Sequence, residues 1–449
     1  MAEQCKLAPG SFRAVDMPQL AVPSIDLITS GNGHPGVAVT DAGRHVCTPG
    51  EHRAQALHTS PPSSARYHSA VDGRLVRHRA RVDAALPYCR WAMNASTDPA
   101  RGGSAPDETE FVRTTLVHGY GLQAVQVTRV PAGTDTVNFR VVLDDERQVF
   151  VKAMRPGADE REVRTAAHVA SFARGGGLPV PQMWLGRDGV PFVRCSGRLL
   201  TVQEYVDGTP ASARALTVAQ AEELGSVIGR LHRRLARYPG PLPVLSARWW
   251  TPEGMNRFDD QYQQLRAALA RHSDDTASTH LEMLEQRRED LLTHAVTLRA
   301  GFPATPARQP LHADLTTPNV LMNHSHRVAA VIDFYARTGP AAWEVGRIAL
   351  DPRTVAGDTN WMPVTLALIA AYHEENPYLP GADLVASLRM ALVHALHSLF
   401  GLYEHYLTPE AYEVGDVLRY WEQRHIMTRR VLDRLDPLEE QIKTAVGER

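Results

Sequence analysis

Leu311-His-Ala-Asp-Leu-Thr-Thr-Pro-Asn-Val-Leu-Met322 is the stretch on which the fold reading turns. It sets His312, Asp314 and Asn319 in the spacing H-x-D-x4-N. Fourteen residues beyond Asn319, the apolar run Val328-Ala-Ala-Val-Ile ends on an acid, Asp333. Upstream, Val125–Val130 alternates as a half-buried strand does, and Asn138–Leu143 and Gln148–Lys152 read as strands joined by the polar turn Asp144-Asp145-Glu146. Phe111–Leu116 reads as a helix. Glu160–Arg174 carries apolar residues at helical spacing and is closed by Gly175-Gly-Gly177. Val190–Val193 and Leu199–Gln203 return to strand. After Gly208 helices dominate: Thr217-Val-Ala-Gln220 is a capping-box pattern, and residues 258–299, 383–406 and 412–435 show helical periodicity. The expected class is α+β and bilobal. A β-rich N-lobe spans residues 106–207 and a mainly helical C-lobe spans 208–449.

The polar residues of the opening stretch fit phosphoryl transfer. That reaction needs a loop carboxylate to orient an acceptor hydroxyl and take its proton, and Asp314 fits the task. It needs Mg2+, which prefers few protein oxygens plus phosphate oxygens. Asn319 offers an amide oxygen and Asp333, at a strand end, a carboxylate. His312 is expected to pack and hydrogen-bond, shaping the loop.

At these residues the chain resembles the aminoglycoside phosphotransferase/choline-kinase-like superfamily, whose members usually read H-G-D-x4-N followed by I-D-F/W. Phe334-Tyr-Ala-Arg-Thr-Gly-Pro340 matches the stretch that follows there, and the resemblance covers roughly residues 111–435. It implies a protein-kinase-like fold and ATP-dependent phosphorylation of a hydroxyl. Protein kinases share the spacing but carry Arg after the His and Lys two residues after the Asp. Here those positions are Ala313 and Thr316, Asp333-Phe-Tyr replaces Asp-Phe-Gly, and no Ala-Pro-Glu follows. A small-molecule acceptor is therefore favoured, with a Ser or Thr of a peptide, such as a natural-product precursor, as the alternative. A non-catalytic binding protein on this fold would have lost key residues, yet Lys152, Asp314, Asn319 and Asp333 are all present.

The resemblance further implies a lysine for the nucleotide phosphates. Lysine occurs in this chain only at Lys6, Lys152 and Lys443, so Lys152 is the one within the β-lobe. Its expected carboxylate partner is Glu162, with Glu160 as the fallback. The loop Pro131–Asn138 lies where a phosphate-covering loop belongs, with Gly133, Thr134 and Thr136 as candidate contacts. Backbone groups of Glu204 and Val206, at the lobe junction, are expected to meet adenine. The superfamily commonly has an Asp soon after Gly-Pro; here Glu344 stands nearby, with no role assigned.

The acceptor pocket is expected from residues 249–300 and 390–425. Glu404, Glu410, Glu413, Asp416 and Glu422 would favour a cationic acceptor, or simply form a solvated helix face. Trp249, Trp250, Trp361 and Trp421 are expected in the core, and His324, His326, His394, His397 and His405 on the surface or in grooves rather than on a metal.

Composition bounds the rest. The 449 residues are 43% hydrophobic and 22% charged, enough to bury a core. The net charge of -2 argues against nucleic acid as the main partner. No run of 18 apolar residues occurs, so no membrane span is expected. Four scattered cysteines read as reduced thiols, and no leader pattern opens the chain, so a cytoplasmic location is expected. Residues 1–105 are rich in Gly, Pro, Ser and His and read as a weakly ordered extension. Met93 is a candidate alternative start.

Overall fold

Buried and outward residues alternate along Gln148–Met154, and ladders on both sides make this a central strand. In this computed structural model the described residues are 108–131, 136–246, 251–409 and 414–448. Helix α1 (Glu108–Thr115) runs into a π-turn over Leu116–Tyr120. Then come β1 (Ala124–Val130), β2 (Thr136–Leu143), β3 (Gln148–Met154), α2 (Glu160–Arg174), β4 (Val193–Cys195) and β5 (Arg198–Glu204). The strands form one antiparallel sheet ordered β1-β2-β3-β5-β4. Val149, Val151 and Ala153 turn to a small core with Val112, Leu116, Phe139 and Val141. Lys152, out of phase with them, faces the other side of the sheet.

The expected hairpin is present: Leu143 N–H donates to Arg147 O at 2.9 Å, and Glu146 takes the left-handed φ of 67° that closes the turn. The expected strand over Val190–Val193 is not. Only Val193 is in β4, because Gly186 N–H closes a turn on Val190 O (2.8 Å) and Pro191 has no N–H for a ladder.

The second lobe opens with β6 (Thr209–Pro210), α3 (Val218–Leu235), α4 (Pro252–Leu269) and α5 (Asp275–Ala300). Strands β7 (Arg308–Leu311), β8 (Val320–Met322), β9 (Val328–Val331) and β10 (Arg337–Pro340) follow. Helices α6 (Ala341–Ala349), α7 (Pro352–Gly357), α8 (Trp361–Glu375), α9 (Gly381–His397), α10 (Leu402–Leu407), α11 (Val414–Leu432) and α12 (Leu435–Val446) complete it. The capping box forms: Gln220 N–H reaches the Thr217 hydroxyl at 3.3 Å and Thr217 N–H reaches Gln220 Oε1 at 3.0 Å. Helix α3 then packs on α8 so closely that a Cβ on Gly225 would strike Leu368 backbone.

Two periodic stretches each break in two. Residues 258–299 divide where Asp274 accepts the Ala277 N–H at 2.8 Å and starts α5. Residues 383–406 divide at Gly401, whose φ of 96° turns the chain into α10. Gly381–Leu407 is nonetheless the one described segment long and apolar enough to cross a membrane. Since 72% of its apolar window is buried, its apolar surface is spent on the protein's own core.

Two ladders bring the chemistry-bearing loops together. β7 pairs with β10, Leu311 opposite Arg337; β8 pairs with β9, Val320 opposite Val331. The loop after β7 and the loop after β9 must then run side by side. Asn319 O accepts Ile332 N–H, and His312 O accepts Tyr335 and Ala336 N–H, each at 2.9 Å.

Candidate active site

His312 is wholly buried between these loops. Its Nε2 donates to Ile332 O (2.8 Å), its Nδ1 accepts Asp314 N–H (3.2 Å), and its ring lies 4.3 Å from that of Phe334. Those bonds demand the neutral ring, and burial, opposed by Glu344 and Asp314, holds its pKa below the usual value. His312 thus packs and hydrogen-bonds to shape the loop, and its burial makes it a positioning residue that ties the two loops rather than a group that meets substrate.

Ala313 is left-handed, with φ of 70°, where an L residue is strained. The turn is held from beneath. Glu344, on α6 and completely buried, accepts Ala313 N–H at 2.5 Å, His312 N–H at 3.2 Å and His232 Nε2 at 3.0 Å. His232 leans on Tyr372 OH (3.0 Å), which takes Asn376 Nδ2 (2.9 Å). Burial alone would raise the Glu344 pKa, but His232, His312 and the Ala313 amide outweigh it and hold the carboxyl below its ordinary value. Glu344, unassigned from sequence, is thus the anchor of the loop.

Asp314 is left half exposed. Asn319 Nδ2 donates to its Oδ2 (3.1 Å) and to its backbone O (2.8 Å), which fixes the Asn319 amide and turns Oδ1 away from Asp314. Arg347, one turn beyond Glu344 on α6, donates to Asp314 Oδ1 at 3.3 Å. Sequence reading missed Arg347, although its i+3 spacing from Glu344 puts both on one helix face.

Asp333 adopts φ of 64° at the end of β9 and forms an ion pair with Lys152 across the cleft. Burial pushes the Lys152 ammonium down to about 8. Lys152, Glu162, Thr136, Gln203, Asp314 and Asp333 all line one cavity of about 740 Å³. Five of the residues expected from sequence therefore meet in one place.

Other expectations are corrected. Glu162 does not pair with Lys152; it pairs with Arg337, whose guanidinium is fixed by Tyr335 O (2.8 Å) and Ala336 O (3.2 Å). The fallback, Glu160, takes Arg194 Nε at 2.9 Å. Both α2 acids meet an arginine because Lys152 is drawn to Asp333. Glu204 N–H is committed to Gln182 O (2.8 Å), which leaves its carbonyl as the backbone group for a base. Gln203, not Glu204 or Val206, lines the cavity. Gly133 and Thr134 lie outside the described residues, as do Trp249, Trp250, Glu410 and Glu413, and the Asp416 side chain is not described.

Of the remaining acids proposed for a cationic acceptor, Glu404 caps Gly401 N–H (2.5 Å) and Glu422 holds His280 Nε2 (3.0 Å). Both are engaged within the protein. Trp361 and Trp421 are core residues as expected. His324 and His326 are exposed, but His397 is buried rather than superficial and His394 is packed edge-on to Trp343 at 5.6 Å.

The sequence profile of the phosphotransferase enzyme family matches residues 126–384, which include both loops just described and the residues that hold them. No curated protein matches the chain. Among solved structures, a spectinomycin phosphotransferase in complex with ADP and spectinomycin superposes with a TM-score of 0.55 at 14% identity, over 73% of this chain and 100% of that one. An aminoglycoside phosphotransferase from Alicyclobacillus acidocaldarius gives 0.51 at 16% identity, over 78% and 99%. At such identities these likenesses show the fold, a bilobal protein-kinase-like one. With its family profile matched across more than half its length, the chain belongs to the phosphotransferase enzyme family.

Proposed function

We propose that the protein is an ATP- and Mg2+-dependent kinase acting on the hydroxyl of a small molecule. The observation that carries this reading is the convergence of Lys152, Asp314 and Asp333 on one cavity, with Asn319 fixed against Asp314. That the spectinomycin enzyme of the same fold was crystallised with ADP supports a nucleotide donor.

The donor set fits Mg2+. Asn319 and Asp333 present hard oxygen ligands, and no cluster of three His, Cys, Asp or Glu side chains exists among the described residues to form an all-protein cage. A metal shared between two side chains and phosphate oxygens suits that arrangement. When bound, Mg2+ would neutralise charge on the phosphate oxygens.

Lys152 would hold the donor phosphates as a compact cation, released from Asp333 when that carboxylate turns to the metal. Asp314 would orient the acceptor hydroxyl and take its proton as that oxygen attacks the terminal phosphorus. The phosphorus–oxygen bond to the nucleoside diphosphate breaks, and its electron pair stays on the diphosphate. Arg347 keeps Asp314 aimed. Glu344 holds the loop through the backbone, so the base need not reorganise during reaction.

The test is transfer from γ-labelled ATP to hydroxyl compounds and a Ser/Thr peptide pool, with wild type and Asp314→Asn. Labelled product from wild type alone is expected. Equal labelling by both would remove Asp314 from the chemistry, and labelling of peptide alone would replace the small-molecule reading.

A further inference from the structure

Behind Asp314 the helical lobe buries positive charge. Arg287 on α5 is 0% exposed and Arg424 on α11 is 6% exposed. Arginines are almost never buried so completely without anionic partners. Their hydrogen bonds include carbonyls at the end of α9: Arg287 Nη1 donates to Ala395 O (2.6 Å), and Arg424 Nη2 to Phe400 O (2.6 Å) and Ser398 O (3.3 Å), while the Arg424 guanidinium also lies 5.1 Å from the Tyr420 ring. Helix-end carbonyls are a favourable but partial counter-charge.

Donors remain. Arg287 Nε and Nη2, Arg424 Nε and Trp421 Nε1 are buried and have no hydrogen-bond partner among the described residues. They belong to one neighbourhood. The Arg287 guanidinium lies 6.0 Å from the Trp421 ring, Trp421 stacks on His425 at 5.9 Å, and both arginines donate to carbonyls at the end of α9. Of the nearby carboxylates, Asp290 is held through Oδ1 by Arg429 Nη1 (2.5 Å) and Gln286 Nε2 (3.1 Å) while its buried Oδ2 has no partner among the described residues, and Glu404 is held by Gly401. The neighbouring imidazoles His394, His397 and His425 are pushed towards the neutral form, first by burial.

The cluster reaches the candidate catalytic base. Arg347, on Asp314, lies over Trp343, which meets His394 edge-on, and its charge is felt by both His394 and Arg424. Basic groups thus run inward from Asp314: Arg347 partly buried, Arg424 nearly so, Arg287 completely. A polycationic acceptor beside Asp314 would meet repulsion from Arg347.

We propose that this cluster is an anion-binding subsite on the acceptor side, in which Arg424 and Arg287 with the Trp421 N–H recognise a carboxylate, phosphate or sulfate. The acceptor is then a hydroxyl compound bearing a negative group. The link to the acceptor rests on the kinase reading above; the anion site itself does not.

The test uses the full chain with a saturating non-hydrolysable ATP analogue and Mg2+, so that the phosphate-binding side of the cleft is filled. Binding of malonate, inorganic phosphate and sulfate is measured by calorimetry at constant ionic strength. One saturable site is expected, with malonate against phosphate and sulfate telling carboxylate from phosphoryl or sulfuryl recognition. Arg424→Met and Arg287→Met should each weaken it at least about tenfold, as loss of a charged hydrogen-bond partner does. Their nucleotide affinity should stay within about twofold, which also certifies that they fold. No saturable anion binding in wild type, or binding unchanged in both variants, overturns the site. If both variants unfold, the wild-type acceptor panel decides: transfer to amino alcohols or aminoglycosides but not to hydroxy acids or sugar phosphates overturns the assignment while leaving the kinase reading intact. Failure of wild type to bind the nucleotide sinks the kinase reading and leaves anion binding to be scored on its own.

Discussion

The two sides of Asp314 handle buried charge in opposite ways. On the nucleotide side every key charge has found an opposite one: Lys152 has Asp333, and Glu162 has Arg337. Behind Asp314, Arg287 and Arg424 are buried deeper, yet they donate to backbone carbonyls and lie against the rings of Trp421 and Tyr420 rather than in a carboxylate ion pair. A site whose ligand brings both phosphates and metal needs charges that can exchange partners, and ion pairs in a cleft do that. A site whose ligand brings only an anion can keep its cations waiting. What separates the sides is therefore the charge expected of each ligand.

Glu344 lies beneath both sides, and its loss should have the largest effect. Glu344→Ala strands the His232 imidazole and the His312 and Ala313 amides in a dry interior, a cost of about 3–5 kcal/mol. Urea unfolding would show it; a loss under about 1 kcal/mol would mean the loop has another anchor. The pH dependence has a definite sign. Because the folded pKa is depressed, this carboxylate's contribution is complete above the unfolded value near 4.5 and is lost as pH falls through the folded one. Glu344→Gln should therefore flatten the wild-type fall in stability in acid.

Lys152 sharpens the comparison from the nucleotide side. Lys152→Met should weaken nucleotide binding by about 1.5–3 kcal/mol and leave malonate binding alone. In wild type, nucleotide affinity should decline as pH rises past about 8, where the buried ammonium begins to lose its proton. A variant that loses both ligands equally would merge the two sides.

Glu162→Gln breaks an ion pair that is half exposed at the Glu end. Its effect on unfolding should stay under about 1 kcal/mol, since solvent screens such pairs. The smallest change is Ala313→Gly, which relieves a left-handed alanine and should stabilise by no more than about 1 kcal/mol. Thermal midpoints would register it, and clear destabilisation would mean that the Ala313 methyl packs usefully.

That Lys152, Asp314 and Asp333 would gather in one cleft was legible in the sequence because it is written in short range: a motif in one loop, an acid at a strand end, one lysine in a chain that scarcely uses lysine. The capping box of α3 was readable for the same reason. The partner of Glu162 was not, because Arg337 lies 175 residues away and wins by folding, not by pattern. Helix α8 left little periodic signal, since Met362, Leu366, Ala367, Ala370 and Ala371 make it apolar away from the buried stripe of Trp361, Val364, Thr365, Leu368 and Ile369 as well. Arg287 and Arg424 are two arginines among many, and nothing in their neighbours along the chain announces burial.

Labelled-phosphate transfer measured in parallel on Asp314→Asn and Arg424→Met tests the account most directly. Asp314→Asn should lower transfer to every acceptor by about 10²–10⁴-fold with nucleotide affinity unchanged. Arg424→Met should lower it only for acceptors that carry a negative group. Undiminished transfer by Asp314→Asn, or an equal loss on neutral and anionic acceptors by Arg424→Met, would contradict it.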